Sequence, residues 1–222
     1  MADTEIERIR RVYAKRTGSE RYDPIRPDVV DALAAYRRAW GRVLAAGNRR
    51  PGATLEVGCG TAGPLGWLQE GGATPAVGVD VQAQRLAQAA AIKAQVSLAA
   101  ADGRRLPFRS GAFSTAVCAV LFSSVLDDSV AADLAAEITR VVAPGGVVLW
   151  FDLVLPNPRN PDVRPIGRRA LRRLFPGARQ DLQRCVLVPT LARRLSQHPL
   201  VSSLLADVPP LRSHLAGALW LP

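Results

Sequence analysis

Thr54-Leu55-Glu56-Val57-Gly58-Cys59-Gly60-Thr61-Ala62-Gly63 is the stretch whose reading decides the fold. Ala53 to Val57 is apolar enough for a short buried strand, and Gly58 and Gly60 end it in a turn without side chains. Pro64 to Glu70 then reads as a helix closed by Gly71-Gly72. Strand, glycine turn and helix open a nucleotide-binding α/β unit. The glycines let the backbone approach a ligand, and the helix start offers it unpaired N–H groups.

The spacing Gly58-x-Gly60-x-x-Gly63 alone fits a dinucleotide fold as well as a methyl-donor fold. Two carboxylates narrow it. Glu56, two positions before the first glycine, repels a pyrophosphate but attracts an amino group or a methionine-type ammonium. Asp80 ends the next predicted strand, Pro75 to Asp80, where it can accept both hydroxyls of a ribose. With these residues the chain resembles the class I S-adenosylmethionine-dependent methyltransferases, in the branch whose first motif reads E/D-x-G-C-G-T-G. Here that motif is Glu56-Val57-Gly58-Cys59-Gly60-Thr61-Ala62, with Ala62 where glycine is usual. The resemblance covers residues 50 to 153. It extends to Leu106-Pro107-Phe108-Arg109-Ser110-Gly111-Ala112-Phe113, which is similar to the family's D-x-x-x-L-P-F-x-x-x-x-F-D segment, with Ser114 in place of the final Asp. The resemblance implies that Asp102 accepts from the adenine amino group. It also implies a cofactor set of Glu56, Gly58, Cys59, Gly60, Asp80, Val81, Asp102, Gly103 and Leu121, with S-adenosylmethionine bound and S-adenosylhomocysteine as product.

At 222 residues, nearly half of them apolar, the chain suits a single globular domain with a full core. Its longest apolar runs, including 116–122 and 147–151, are too short to span a bilayer. The polar start Met-Ala-Asp-Thr-Glu has no apolar signal segment behind it, so a cytoplasmic protein is expected. Cys59, Cys118 and Cys185 lack any zinc or redox spacing and read as reduced packing residues. The net charge of +10 rests almost wholly on arginine, since Lys15 and Lys93 are the only lysines. Ten arginines fall between Arg159 and Arg194, against Asp162 and Asp181. This cluster reads as a solvated surface or as a site for an anionic acceptor; a membrane surface is a further reading.

Residues 1–47 are read as an N-terminal helical cap, 48–153 as the cofactor-binding core, and 154–222 as a substrate-side part with a final strand pair. The cap has helices over 2–16 and from Pro27 to about Ala46, separated by a Pro-broken loop. In the resembling family such helices lie over the pocket, which makes Tyr13 and Tyr22 substrate-side candidates. Further helices are expected over 82–95 and 128–142, and strands over 96–100, 113–121 and 147–153. Continuous apolar strands alternating with helices mean a parallel sheet covered on both faces. Ile166 to Phe175 reads as a short basic helix, Cys185 to Val188 as a sixth strand, Thr190 to Ala206 as a helix and Ser213 to Leu221 as a last strand. The resemblance implies a Rossmann-like, seven-stranded, mostly parallel sheet of order 3-2-1-4-5-7-6. Phe122, Asn157 and Arg159 fall at strand ends beside the expected pocket and are read as substrate-binding.

A neutral amine acceptor needs no strong base, whereas a hydroxyl usually does. His214 and Asp127 are the candidate catalytic residues, with Asp152 as a further one. Metal is not expected, because 151–155 lacks the adjacent Asp-Asn pair of catechol-type enzymes. Nucleic acid is not expected either: Phe122-Ser123-Ser124 replaces the Asn/Asp-Pro-Pro-aromatic motif of amino-methylating enzymes, and no Pro-Cys dipeptide occurs. The reading is methyl transfer to a small or medium-sized acceptor, leaning to oxygen, by a monomer or homodimer. The rivals are a nicotinamide-dependent oxidoreductase, a non-catalytic nucleotide-binding protein and an RNA methyltransferase.

Overall fold

The structure, a computed structural model, describes residues 2–16, 27–92, 95–158, 160–195, 197–198, 205 and 208–222. Helices α1 (Ala2–Arg16) and α2 (Pro27–Ala46) precede the sheet. Strands β1 (Thr54–Val57), β2 (Ala76–Asp80) and β3 (Ser97–Ala100) alternate with helices α3 (Gly63–Glu70) and α4 (Ala83–Ile92). Next come β4 (Phe113–Ala119), a 3-10 turn over Phe122–Ser124, α5 (Asp128–Val141) and β5 (Val142–Leu153). The chain ends with α6 (Arg168–Leu174), β6 (Arg179–Leu187), α7 (Pro189–Arg194) and β7 (Arg212–Trp220).

The described strands form one seven-stranded sheet, ordered β3-β2-β1-β4-β5-β7-β6. The first five pair in parallel, and β7 runs antiparallel between β5 and β6. This is the expected topology. Both faces are buried, as parallel strands require. Along β5, Val148 and Trp150 join a core with α5 and α6, while Leu149 and Phe151 join a second core with α2, α3 and α4. Trp40 of α2 is fully buried, and its indole N–H donates to the Trp150 carbonyl at 3.0 Å. Burying a large apolar side chain of this kind stabilises the fold by about 1.5–3 kcal/mol.

Three expected elements differ. β5 starts at Val142 rather than Val147, because Val142 already pairs with Phe113 before a bulge shifts the register to Val147 opposite Thr115. β6 starts at Arg179 rather than Cys185. Its polar first half, Arg179-Gln-Asp-Leu-Gln-Arg184, carries no strand signal but pairs with β7 from Trp220 to Leu215. Gly217 makes that pairing possible: at φ 147° a Cβ there would lie 2.0 Å from the Asp181 carbonyl oxygen. The helix expected over 190–206 is described only as α7, with most of 199–207 outside the described residues. No described helix is long and apolar enough to cross a membrane.

Candidate functional site

The carboxyl ends of β1 to β4 open on a cavity of about 90 Å³ that is continuous with solvent. Gly58 of the glycine turn forms part of its floor. Gly58 has φ 69°, so the turn needs glycine for its path, and Leu121 Cδ1 packs over the space where a Cβ would stand. The Gly58 and Cys59 N–H groups donate to the Val79 carbonyl, and the Gly60 N–H donates to Asp80 Oδ2 at 2.8 Å. Ala62, in the place where glycine is usual, holds the left-handed conformation at φ 54° and is the N-cap residue of α3. That explains the usual glycine and leaves Ala62 mildly strained.

Of the expected cofactor residues, Gly58, Asp80, Val81, Asp102, Gly103 and Leu121 line the cavity. Asp80 also accepts from the Gln82 N–H at 2.9 Å, so both carboxylate oxygens are oriented by backbone. Asp102 is gripped by Arg104, whose Nη2 lies 2.6 Å from Oδ2 and whose backbone N–H donates to Oδ1. Burial works to raise the Asp102 carboxyl, but the Arg104 hydrogen bonds outweigh it and hold it below its ordinary value.

Glu56 stands apart from these residues. It is 2% exposed and does not line the cavity. Its neighbours Leu55 and Val57 face the core of α5, so the alternation of the strand turns Glu56 to the opposite face. There Oε2 accepts from the Leu65 N–H at 3.1 Å, satisfying an orphan donor in the first turn of α3. Burial pushes its carboxyl up to about 8. Cys59 and Gly60 contribute backbone to the turn without lining the cavity, and the Cys59 thiol is buried, with its Sγ close against Gly78.

α1 closes the cavity from above with Ile6, Ile9 and Tyr13. Glu5 accepts from the Leu126 N–H at 2.6 Å, Arg8 donates to the Ser124 carbonyl at 2.5 Å, and the Tyr13 and Ser124 hydroxyls lie 2.7 Å apart. Burial opposes ionisation of Glu5, but its bonds to Arg8 and Leu126 prevail and keep it below its ordinary value. Tyr13 thus lines the cavity, while Tyr22 and Arg159 lie outside the described residues.

Five other candidates lie outside the cavity lining. Asp127 is the N-cap of α5, accepting from the Ser129 and Val130 N–H groups and the Ser129 hydroxyl, and does not line the cavity. His214 lies on β7 opposite Leu153, stacked on Phe151 at 4.8 Å, on the face of the sheet that carries α2. Burial lowers it to about 4 and keeps it neutral near pH 7. Phe122 is fully buried between Trp150 and Phe175, and Asn157 is exposed outside the lining. Asp152 is fully buried behind the 122–124 turn; it accepts from the Ser123 N–H at 3.0 Å, and burial raises it to about 6.

Arg168, Arg169, Arg172, Arg173 and Arg179 are exposed on α6 and β6 and do not line the cavity. Arg179 instead lies over the Trp220 ring at 5.2 Å. Among the described residues no three His, Cys, Asp or Glu side chains gather as a metal site.

Sequence reasoning missed Arg85, Arg104, Ser124 and Val120. Val120 has φ 53° and lines the cavity, an outlier for a β-branched residue that the sequence does not signal. The run Ile6, Ile9, Tyr13 was legible as one helix face, with Tyr13 on it read as a substrate-side candidate.

Residues 54–146 match the family model described as a methyltransferase domain, a span that carries the glycine turn, Asp80 and Asp102. No curated protein sequence matches the chain. Among solved structures, an S-adenosylmethionine-dependent methyltransferase from Mesorhizobium loti is 19% identical with a TM-score of 0.56, over 80% of this chain and 96% of that one. An S-adenosylmethionine-dependent methyltransferase from Archaeoglobus fulgidus is 13% identical with a TM-score of 0.59, over 81% and 91%. The [4+2]-cyclase SpnF is 20% identical with a TM-score of 0.57, over 77% and 74%. At these identities the likeness to solved structures is one of fold.

Proposed function

We propose that this chain, whose residues 54–146 match a methyltransferase-domain model, uses S-adenosylmethionine to methylate a small or medium-sized acceptor at oxygen, without a metal. The observation that carries this reading is the convergence of Asp80, Asp102 and the glycine turn on one cavity at the carboxyl ends of parallel strands. These residues suit S-adenosylmethionine. Asp80 retains lone pairs for ribose hydroxyls, Asp102 and Arg104 form a polar wall, and Gly58 leaves room for close approach. When bound, the cofactor supplies a sulfonium-activated methyl group.

The chain's own contribution is orientation and exclusion of water. Well-oriented reactants gain about 7 kcal/mol or more from positioning alone. Leu121, Val125, Val130 and Leu134 give the β4 end of the cavity an apolar wall, and α1 covers it. The Tyr13–Ser124 hydroxyl pair faces the same space and can take part in moving a proton from a hydroxyl acceptor. A cytoplasmic role in bacterial secondary or cell-surface metabolism agrees with the arginine-rich composition.

Calorimetry with S-adenosylhomocysteine tests the reading. Micromolar affinity, about −8 kcal/mol, is expected, with no heat from nicotinamide dinucleotides; the opposite pattern would establish the oxidoreductase. A second reading has one observation in its favour: neither Asp127 nor His214 reaches the cavity, so the fold could bind the cofactor without transferring its methyl group. Binding without labelled methyl transfer to a panel of hydroxyl, amine, thiol and carbon acceptors would select it.

A further inference from the structure

Two cations line the cavity, and they differ in how their hydrogen-bonding capacity is used. Arg104 grips Asp102. Arg85 stands over the glycine turn: a Cβ on Gly60 would lie 2.4 Å from its Nη2 and 2.7 Å from its Cζ. On its other side the guanidinium carbon lies 5.2 Å from the centre of the Tyr13 ring, so it is held between the lid helix and the turn. Neither Asp80 nor Glu56 accepts from it, since their hydrogen bonds come from the backbone of Gly60, Gln82 and Leu65. Among the described residues the guanidinium has no hydrogen-bond or ion-pair partner.

The position is not one that local helix energetics favours. Arg85 is in the first turn of α4, where the helix dipole disfavours a cation. A half-buried guanidinium carries five donors in a planar fork that matches a carboxylate. With Asp80 and Asp102 placed to receive the ribose and adenine, the amino-acid end of the ligand falls on the glycine turn. That end carries one carboxylate, and Arg85 is the described cavity cation with donors to spare.

We infer that Arg85 binds the carboxylate at the amino-acid end of the cofactor and so selects intact S-adenosylmethionine over nucleosides that lack it. The inference rests on the proposed function. It leaves the ammonium at that end to the carbonyl groups of the turn.

Calorimetry with S-adenosylhomocysteine and with methylthioadenosine, which has no amino-acid end, tests it on the wild type, Arg85→Met and Arg85→Gln. Arg85→Met and Arg85→Gln should each weaken S-adenosylhomocysteine by about 10- to 100-fold, the span of one charge-assisted bidentate contact, and leave methylthioadenosine within about twofold. On the wild type, converting the ligand's carboxylate to its amide should cost a similar factor, a measurement that needs no variant to fold. Equal losses for both ligands, or no loss for either, would overturn the inference while the functional reading stands. A wild type that does not bind S-adenosylhomocysteine would overturn the functional reading, and this inference with it.

Discussion

The tips of β2 and β3 turn charged groups toward the cavity, whereas the tips of β5 and β7 turn theirs into the protein. Asp80 and Asp102 line the space that a ligand would fill. Asp152 is spent on the Ser123 N–H, and His214 on a stack with Phe151. Asp127, after β4, is likewise spent on capping α5. What remains at the β4 end is apolar wall and one hydroxyl pair. On the proposed function, the difference is what two ligands of unlike chemistry demand: a charged cofactor held by ions and backbone, and an acceptor selected by shape and desolvation.

The largest effect that would sharpen this contrast belongs to the β6–β7 end of the sheet and to stability alone. Gly217→Ala forces a Cβ into the Asp181 carbonyl, and unfolding free energy should fall by about 4 kcal/mol. The fraction that stays folded should bind S-adenosylhomocysteine normally. Asp80→Ala should do the reverse. It removes a cavity carboxylate that also orders Gly60 and Gln82, and affinity should drop by about 3 kcal/mol, roughly 100-fold. A normal affinity in Asp80→Ala would break the division between the two ends.

Titration separates Glu56 from His214. Glu56, raised from 4.5 to about 8, keeps its proton in the fold where the unfolded chain has lost it. Stability should therefore fall as pH rises through that window, and Glu56→Gln should flatten the slope in thermal melts. His214, lowered from 6.5 to about 4, stays neutral in the fold while the unfolded chain takes up a proton. Its contribution is present above 6.5 and lost as pH falls toward 4, so His214→Phe should blunt acid destabilisation. Neither variant should change cofactor affinity as much as Asp80→Ala.

Smaller effects bear on the caps. Asp127→Ala should lower Tm by a few degrees and leave S-adenosylhomocysteine affinity unchanged, as a helix cap does and a catalytic group at the cavity does not. Ala62→Gly should relieve the left-handed residue and stabilise the protein by no more than about 1 kcal/mol, measured by denaturant unfolding.

The elements with strong local signals were legible. β1, the glycine turn and α3 were found because apolar run, glycine and helix former follow one another within 18 residues, Ala53 to Glu70. α5 was found as a helix over 128–142, and the structure shows Val130, Leu134, Ile138 and Val141 buried at helical spacing, with Asp127, read as catalytic, serving as its cap. β6 was misplaced because its polar half is a strand only by virtue of its partner β7, and no local propensity marks such a pairing. The direction of Glu56 was not legible because the motif states which residue stands at the strand end, not which face of the sheet it leaves by.

The sequence by itself determined the nucleotide-binding α/β class, the strand order through its resemblance, and Asp80 and Asp102 as acidic candidates, both of which line the cavity, since each is tied to a short motif read along the chain. Only the tertiary structure decided the direction of Glu56, the seating of α1 on the 124–126 segment and the placing of Arg85 over Gly60. Those depend on contacts between residues far apart in sequence, whose partners are set by packing rather than by neighbours in the chain.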